Sequence, residues 1–186
     1  MFVFDRNLDR LRELDVAFGG RASTVYSSTL AIEDMLPMAD LVIGAVLVHG
    51  ARAPYVIKRD QLALMKRQAV LVDVSIDQGG CFETSRPTTH SDPVYEVEGI
   101  THYCVTNMPG AVPITSTYAL TNATLPYVLS LADHGVRMAI ERDPGLRLGV
   151  NVSRGRVTHA AVAEATGMDF TPVEDALEGE PSLFDD

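Results

Sequence analysis

Two stretches, DLVIGA at residues 40–45 and AVLVDV at 69–74, are almost continuous runs of Val, Leu and Ile. A strand with one face in water alternates apolar and polar residues, whereas a strand apolar on both faces needs cover on both. Such strands belong to parallel sheets, whose crossover helices lie over the two faces. The chain supplies elements of the required kind. Residues 2–5 (FVFD) are an apolar run closed by Asp5, and Leu8, Leu11, Leu14 and Phe18 then recur at helical spacing until Gly19-Gly20 stops them. Residues 22–26 predict a second strand, 29–35 a helix ending near Pro37, and 58–65 another helix, while 103–105 lie in a fifth strand. Beyond about Pro109 the pattern changes. Residues 114–134 predict a long helix with a kink or restart at Pro126 and a continuation at 136–141. A small hairpin (NVSRGRV, 151–157) and a last helix at 158–165 follow, and the acidic tail from Glu174 is expected to fray. The reading is an α/β fold with an incomplete Rossmann-like parallel sheet in residues 1–113 and a mostly helical segment in 114–186.

What makes the sheet incomplete is its beginning. A dinucleotide-binding fold opens with a strand, a glycine-rich turn and a helix, whose amino terminus and backbone amides take the pyrophosphate. An acidic residue roughly 20 positions on, at the end of the second strand, takes the adenosine ribose. Asp5 fits that acidic residue, because it closes an apolar strand and a helix follows. Yet no GxGxxG occurs in the chain, and the glycines at 19, 20, 44 and 50 lack its spacing. With Asp5 as the ribose ligand, the phosphate-binding turn and first strand are expected upstream of Met1. That strand is central in the common order 3-2-1-4-5-6, so its absence leaves two half-sheets with unpaired edges.

Composition narrows the partners. The net charge of −10 repels nucleic-acid phosphates and anionic lipid surfaces, so neither is expected as a partner. The longest apolar run, 39–48, is too short to span a bilayer and contains Asp40. Only Cys81 and Cys104 are present, which points to a reducing, cytoplasmic compartment. Neither the cysteines nor His90, His102, His134 and His159 have metal-ligand spacing, so no metal site is expected.

Three stretches resemble bacterial alanine dehydrogenases: ADLVIGAVLVHGARAP (39–54), AVLVDVSIDQGGCFETSRPTT (69–89) and YCVTNMPGAVPITSTYALTNATLPYVLSLADHG (103–135). The resemblance spans nearly the whole chain and weakens after about Gly149. The related proton-translocating transhydrogenases share the fold but tend to differ at IDQGG. The resemblance implies the carboxyl-terminal part of an enzyme that interconverts L-alanine with pyruvate and ammonia using NAD. It implies a homo-oligomer, a hexamer by family, or complementation by an upstream polypeptide. It makes Asp77 the catalytic aspartate, which holds the substrate amine or orients water; the plain alternative is a turn-forming Asp before Gly79-Gly80. Asp5 becomes the ribose ligand, whose charge repels a 2′-phosphate and favours NAD over NADP, against the alternative of a helix cap. Arg10 and Ser27 line the adenosine side, or else are a solvated helix charge and a polar strand end. Val46, Leu47, Val74, Ile76 and Val105 line the cofactor, or are ordinary core. Asn107 and Met108 touch the nicotinamide and substrate, although a loop asparagine also bonds its own backbone.

Two other readings stay open: a truncated non-catalytic relic or assembly module of the same family, and a transhydrogenase-like nucleotide domain. The family's catalytic histidine and carboxylate-binding cations have no counterpart among these residues. The purified 186-residue chain is therefore expected to give no alanine-dependent reduction of NAD in a spectrophotometric assay. Robust turnover would overturn the reasoning about missing parts.

Overall fold

The computed structural model describes residues 1–46 and 54–177. They fall into two compact units, divided after Met108.

In the first unit, β1 (Phe2–Asp5) pairs in parallel with β2 (Ser23–Tyr26). Between them runs α1 (Leu8–Phe18), capped by Asn7, whose side chain accepts from the amides of Asp9 and Arg10. Then α2 (Thr29–Met35), capped by Ser28, leads into a short 3-10 turn, Leu36–Met38. A separate four-stranded sheet holds β3 (Leu41–Gly44), β4 (Val70–Asp73), β5 (Val94–Val97) and β6 (Ile100–Tyr103) in the order β3-β4-β6-β5. β3, β4 and β6 are parallel, and β5 is antiparallel to β6. Glu98 and Gly99, both at positive φ, turn β5 into β6, as a tight hairpin requires.

The α/β reading holds; among the described residues, β1-β2 and β3-β4-β6-β5 share no strand pairing. Two details differ. Residues 58–65 form only a 3-10 turn, Asp60–Leu64. The strand expected at 103–105 begins earlier, at Ile100, and 104–106 instead bond Thr88 on a neighbouring loop (Thr88 N to Cys104 O 2.9 Å, Thr106 N to Thr88 O 3.1 Å).

The core lies against the four-stranded half. Leu36, Ile57, Leu62, Met65, Leu71, Phe82 and Ile100 form one buried cluster there. The β1-β2 half is thin, with Leu11 its one buried helix residue. Cover over the sheet is one-sided at β3: Leu41 and Ile43, on the same face, are 55% and 60% exposed. The expectation of a sheet covered on both faces therefore fails at this edge, where nothing among the described residues covers the face that carries Leu41 and Ile43.

The second unit is mostly helical. α3 (Pro113–Arg142) is interrupted at Gly135, whose φ of 70° and ψ of 168° leave the helical region. The kink expected at Pro126 is thus displaced to the glycine, and Pro126 stays within the helix. α4 (Pro144–Leu148) is followed by the expected hairpin, β7 (Val152–Ser153) with β8 (Arg156–Val157). After α5 (Ala160–Thr166) comes α6 (Val173–Leu177); of the tail expected to fray from Glu174, residues 174–177 are helical and 178–186 lie outside the described residues. Ala176 and Leu177 are buried, and Arg147 pairs with Glu174, which holds this turn of helix in place.

Gly44 ends β3 where Cys81 and Phe82 cross it, and an added Cβ would land on the Cys81 sulfur and the Phe82 ring. Gly44→Ala is expected to lower unfolding stability by about 1–3 kcal/mol, the usual effect of overpacking a filled core. In urea titration the midpoint should fall with an unchanged m value; a midpoint at or above the original would refute the close approach.

Candidate functional site

Parallel strands put their carboxyl ends on one side, and the loops beyond those ends are where open α/β sheets bind ligands. At the end of β4 the chain passes from Asp73 into a 3-10 turn, Val74–Gln78, that carries Asp77. Asp77 is exposed to solvent. Both of its carboxylate oxygens face the backbone amide of Asn107, each at 3.4 Å. Asn107 adopts φ 53°, a left-handed conformation that asparagine tolerates better than most residues, and this turns its N–H toward Asp77. Its carbonyl lies 3.1 Å from Nε2 of His90.

The turn itself is built around Asp73, which is completely buried. Its Oδ1 accepts from the Ser75 amide at 3.0 Å, and its Oδ2 from the Cys81 and Phe82 amides at 2.8 and 3.3 Å and from the Ser85 hydroxyl at 2.5 Å. The Cys81 thiol also points at Oδ1, at 3.4 Å. Burial, reinforced by the Asp73 charge, pushes the Cys81 thiol up to about 12. Gly79 and Gly80, at φ 92° and 77°, close the turn by donating back to Ile76 and Ser75. At Gly80 a Cβ would lie 2.9 Å from Asp73 Oδ2, so this glycine is needed for space as well as for conformation. The Ser75 hydroxyl bonds the Val46 carbonyl at 2.9 Å, joining this turn to the chain leaving β3.

The expected site residues fall into two groups. Asp77, Val46, Val74, Asn107 and Met108 follow the carboxyl ends of the four-stranded half. Val74 is 48% exposed there, whereas Ile76 and Val105 are buried beneath and support the edge through packing. Leu47 lies outside the described residues. Asp5 and Ser27 stand together at the corresponding ends of β1 and β2, with the Ser27 amide bonded to the Asp5 carbonyl at 2.9 Å. Asp5 is not the helix cap; that is Asn7, whose own amide donates to Asp5 Oδ1 at 2.8 Å. Arg10 is engaged on the helix surface with Glu13 at 2.9 Å.

Sequence reasoning missed Asp73 and Ser85. An acidic residue ending an apolar strand just before a loop was the available signal, and it was read only at Asp5. A further cluster supports the same loop from the sheet side. Tyr95 bonds the Thr84 carbonyl and stacks on His102 with ring centres 5.0 Å apart, and the Arg86 guanidinium lies 4.0 Å above the Tyr95 ring. Arg86 is therefore occupied by an aromatic face. A cleft of about 440 Å³ in the second unit, lined by Arg137, Ile140, Glu141, Pro144, Val173 and Leu177 among others, contains none of the strand-end residues. Among the described residues no His, Cys, Asp and Glu cluster is arranged for a metal, and no helix is long and apolar enough to cross a membrane.

The chain is similar to known proteins in sequence and in fold. The sequence family described as "Alanine dehydrogenase/PNT, C-terminal domain" matches residues 1–160. The alanine dehydrogenase of Halomonas elongata is 55% identical over 168 residues, which cover 90% of this chain and 45% of that enzyme. The alanine dehydrogenase of Mycobacterium tuberculosis is 54% identical, over 91% of this chain and 46% of its own length. The chain thus spans about half the length of the curated relatives it matches. A solved L-alanine dehydrogenase superposes with a TM-score of 0.79 at 48% identity, over 90% of this chain and 46% of that one. A transhydrogenase from Sinorhizobium meliloti (TM-score 0.65, 19% identity, 78% of this chain and 42% of that one) shares the fold.

The buried His102 yields a pH prediction. Its Nδ1–H donates to the Ile100 carbonyl at 3.0 Å, and its Nε2 lies 2.7 Å from the Thr84 hydroxyl, which donates to it when the ring is neutral. Burial, helped by the positive charge of Arg59 and opposed by the Ile100 carbonyl and Asp73, lowers its pKa. Above the unfolded value of about 6.5 both states are neutral; below it the unfolded chain binds a proton that the folded chain refuses. The thermal midpoint should therefore fall between about pH 6.5 and pH 5, more steeply than in His102→Asn. Equal slopes for the two proteins would contradict the buried neutral ring.

Proposed function

The chain belongs to the alanine dehydrogenase/PNT C-terminal domain family, and from that we propose that it supplies the nucleotide-binding half of an alanine dehydrogenase. The reaction is oxidation of L-alanine to pyruvate and ammonia with NAD, and its reversal. The observation that carries this reading is Asp77, exposed beyond β4 and faced by the Asn107 amide.

The residues present suit two ends of a dinucleotide. Asp5 offers a carboxylate whose acceptor chemistry matches the two ribose hydroxyls and repels a 2′-phosphate, with Ser27 alongside. Val46 and Val74 present apolar surface at the other end, where Asn107 and Met108 begin the next loop. NAD, when bound, would supply the acceptor for the hydride of the alanine α-carbon. Asp77 binds the substrate ammonium by a charge-assisted hydrogen bond; that nitrogen loses one proton to solvent before the hydride can leave, and hydride loss then leaves an iminium. Asp77 takes a proton from the water that adds at the iminium carbon and returns it to the nitrogen, so that ammonia departs as the carbonyl of pyruvate forms. The Asn107 amide keeps the carboxylate directed at the substrate.

The unpaired sides of β1 and β3 support a partner element, an extended strand followed by a glycine-rich turn from an upstream polypeptide. The first part of α3 supports self-association: residues 114–132 carry no charged side chain, and Ile114, Tyr118, Leu120, Val128 and Leu129 are exposed.

The test uses the native protein, captured from its own cells through the carboxyl-terminal tail, weighed intact and assayed with L-alanine and NAD. Alanine-dependent NADH formation is expected. Asp77→Asn should lower kcat by roughly a hundredfold or more, and Asp5→Ala should raise KM for NAD and admit NADP. A native assembly without turnover, or with full turnover in Asp77→Asn, would overturn the reading.

A further inference from the structure

Asp73 touches nothing in solvent and contributes nothing to the exposed site surface, yet it receives five donors. Their positions along the chain are informative. Ser75 lies before Asp77, and Cys81, Phe82 and Ser85 lie after it. One carboxylate therefore grips both feet of the turn that presents Asp77. Between the feet, Gly79 and Gly80 close the backbone on Ile76 and Ser75. On the far side the Ser75 hydroxyl holds the Val46 carbonyl. The turn has few apolar anchors of its own: Ile76 is buried, but Val74, Asp77, Gln78 and Gly79 are all exposed. Its shape thus depends on the carboxylate and on the two glycines.

We propose that Asp73 is the positioning residue for Asp77, acting through the clamp it forms with Ser85 and the Ser75 and Cys81 amides. This rests on the reading of Asp77 as the group that handles the substrate ammonium and water. A carboxylate has two acceptor oxygens, and both are used: Oδ1 on the entering strand side, Oδ2 on the leaving side. In Asp73→Asn one oxygen becomes an NH2 group, which faces donors and cannot accept from them. One foot of the turn is then released while the volume is kept. Ser85→Ala removes the 2.5 Å hydroxyl bond to Asp73, together with the weak 3.8 Å contact from the Cys104 thiol. A displacement of about 1 Å at a catalytic group costs on the order of a hundredfold in rate.

The test has two readouts. The first is amide hydrogen exchange of the 186-residue chain. Peptides covering 74–82 should exchange at least about tenfold faster in Ser85→Ala and Asp73→Asn, while the β4 peptide stays protected; unchanged exchange in Ser85→Ala overturns the clamp. The second is steady-state kinetics of the native assembly. In Ser85→Ala kcat should fall about tenfold or more with KM for NAD within about twofold, and Ser85→Thr, which keeps the hydroxyl, should restore it. A purely structural role would lower thermal stability and leave kcat per folded site unchanged, and that outcome overturns the proposal. Asp77→Asn measured in parallel separates the two ideas. If it is fully active, the reading of Asp77 fails. If it is inactive while Ser85→Ala keeps full kcat, only the role of Asp73 fails.

Discussion

The parallel ladder of β3, β4 and β6 imposes the geometry on which everything at the site depends. In parallel pairing, Gly44 lies opposite Asp73, and Val72 opposite Tyr103. The chain therefore leaves all three strands on the same side, and the segments containing Val46, Asp77 and Asn107 start level with one another. An antiparallel arrangement would have sent one of them to the opposite edge. The ladder brings these segments near each other, but it does not fix their shape. That falls to Asp73, whose burial as a carboxylate is costly unless its oxygens are satisfied. Three backbone amides and a hydroxyl satisfy them, so folding the turn correctly and burying the charge become one event. Removing one partner from such a group typically costs several kcal/mol, about 3–5 where a charge is left unpaired.

The second constraint is the break in the sheet. Among the described residues β1 and β2 pair only with each other, and β3 has a strand on one side only. A two-stranded ribbon with one helix buries little, and Phe2 is exposed there; at the β3 edge of the other sheet Leu41 and Ile43 are exposed as well. Exposed apolar side chains next to unpaired amides and carbonyls are the conditions under which sheets recruit another strand. The uncharged first part of α3 is a second surface of the same kind. The two surfaces involve different chemistry: backbone hydrogen bonding at the strand edges and apolar packing along the helix.

How much of this could be read from sequence differs element by element. Strands β1, β3 and β4 were legible because runs of Val, Leu and Ile closed by Asp or Gly have few other uses. α1 was legible because its apolar residues have helical spacing and two glycines end it. β5 was not, because VYEV alternates as an edge strand does and is paired only through a turn made by Glu98 and Gly99. The break in α3 was assigned to Pro126, the residue that lacks a donor. It occurs at Gly135, where the backbone takes a conformation closed to residues with a Cβ. Of the candidate site, Asp77 and Asn107 were found only through resemblance, and the backbone bond between them depends on a left-handed φ that no periodicity encodes. Asp73 and Ser85 were invisible for a different reason. Their roles come from donors up to twelve residues away along the chain, brought together by burial.

These contacts divide the site by its mechanical support. Asp77 faces the Asn107 amide, and the turn that carries it is flanked by the bonds of Asp73 to Ser75, Cys81 and Ser85, all within the four-stranded half that contains the buried cluster. Asp5 belongs to the thin β1-β2 half, where its links to Asn7 and Ser27 are local and the nearest buried residues are few. Local stability follows buried apolar contact, so the two regions open at different free energies. The part that would meet the reacting carbon is organised by contacts the chain already contains. The part proposed to meet the ribose has less such support among the described residues. A strand paired against β1 is therefore expected to act mainly on cofactor affinity, through the position of Asp5, and little on the geometry around Asp77.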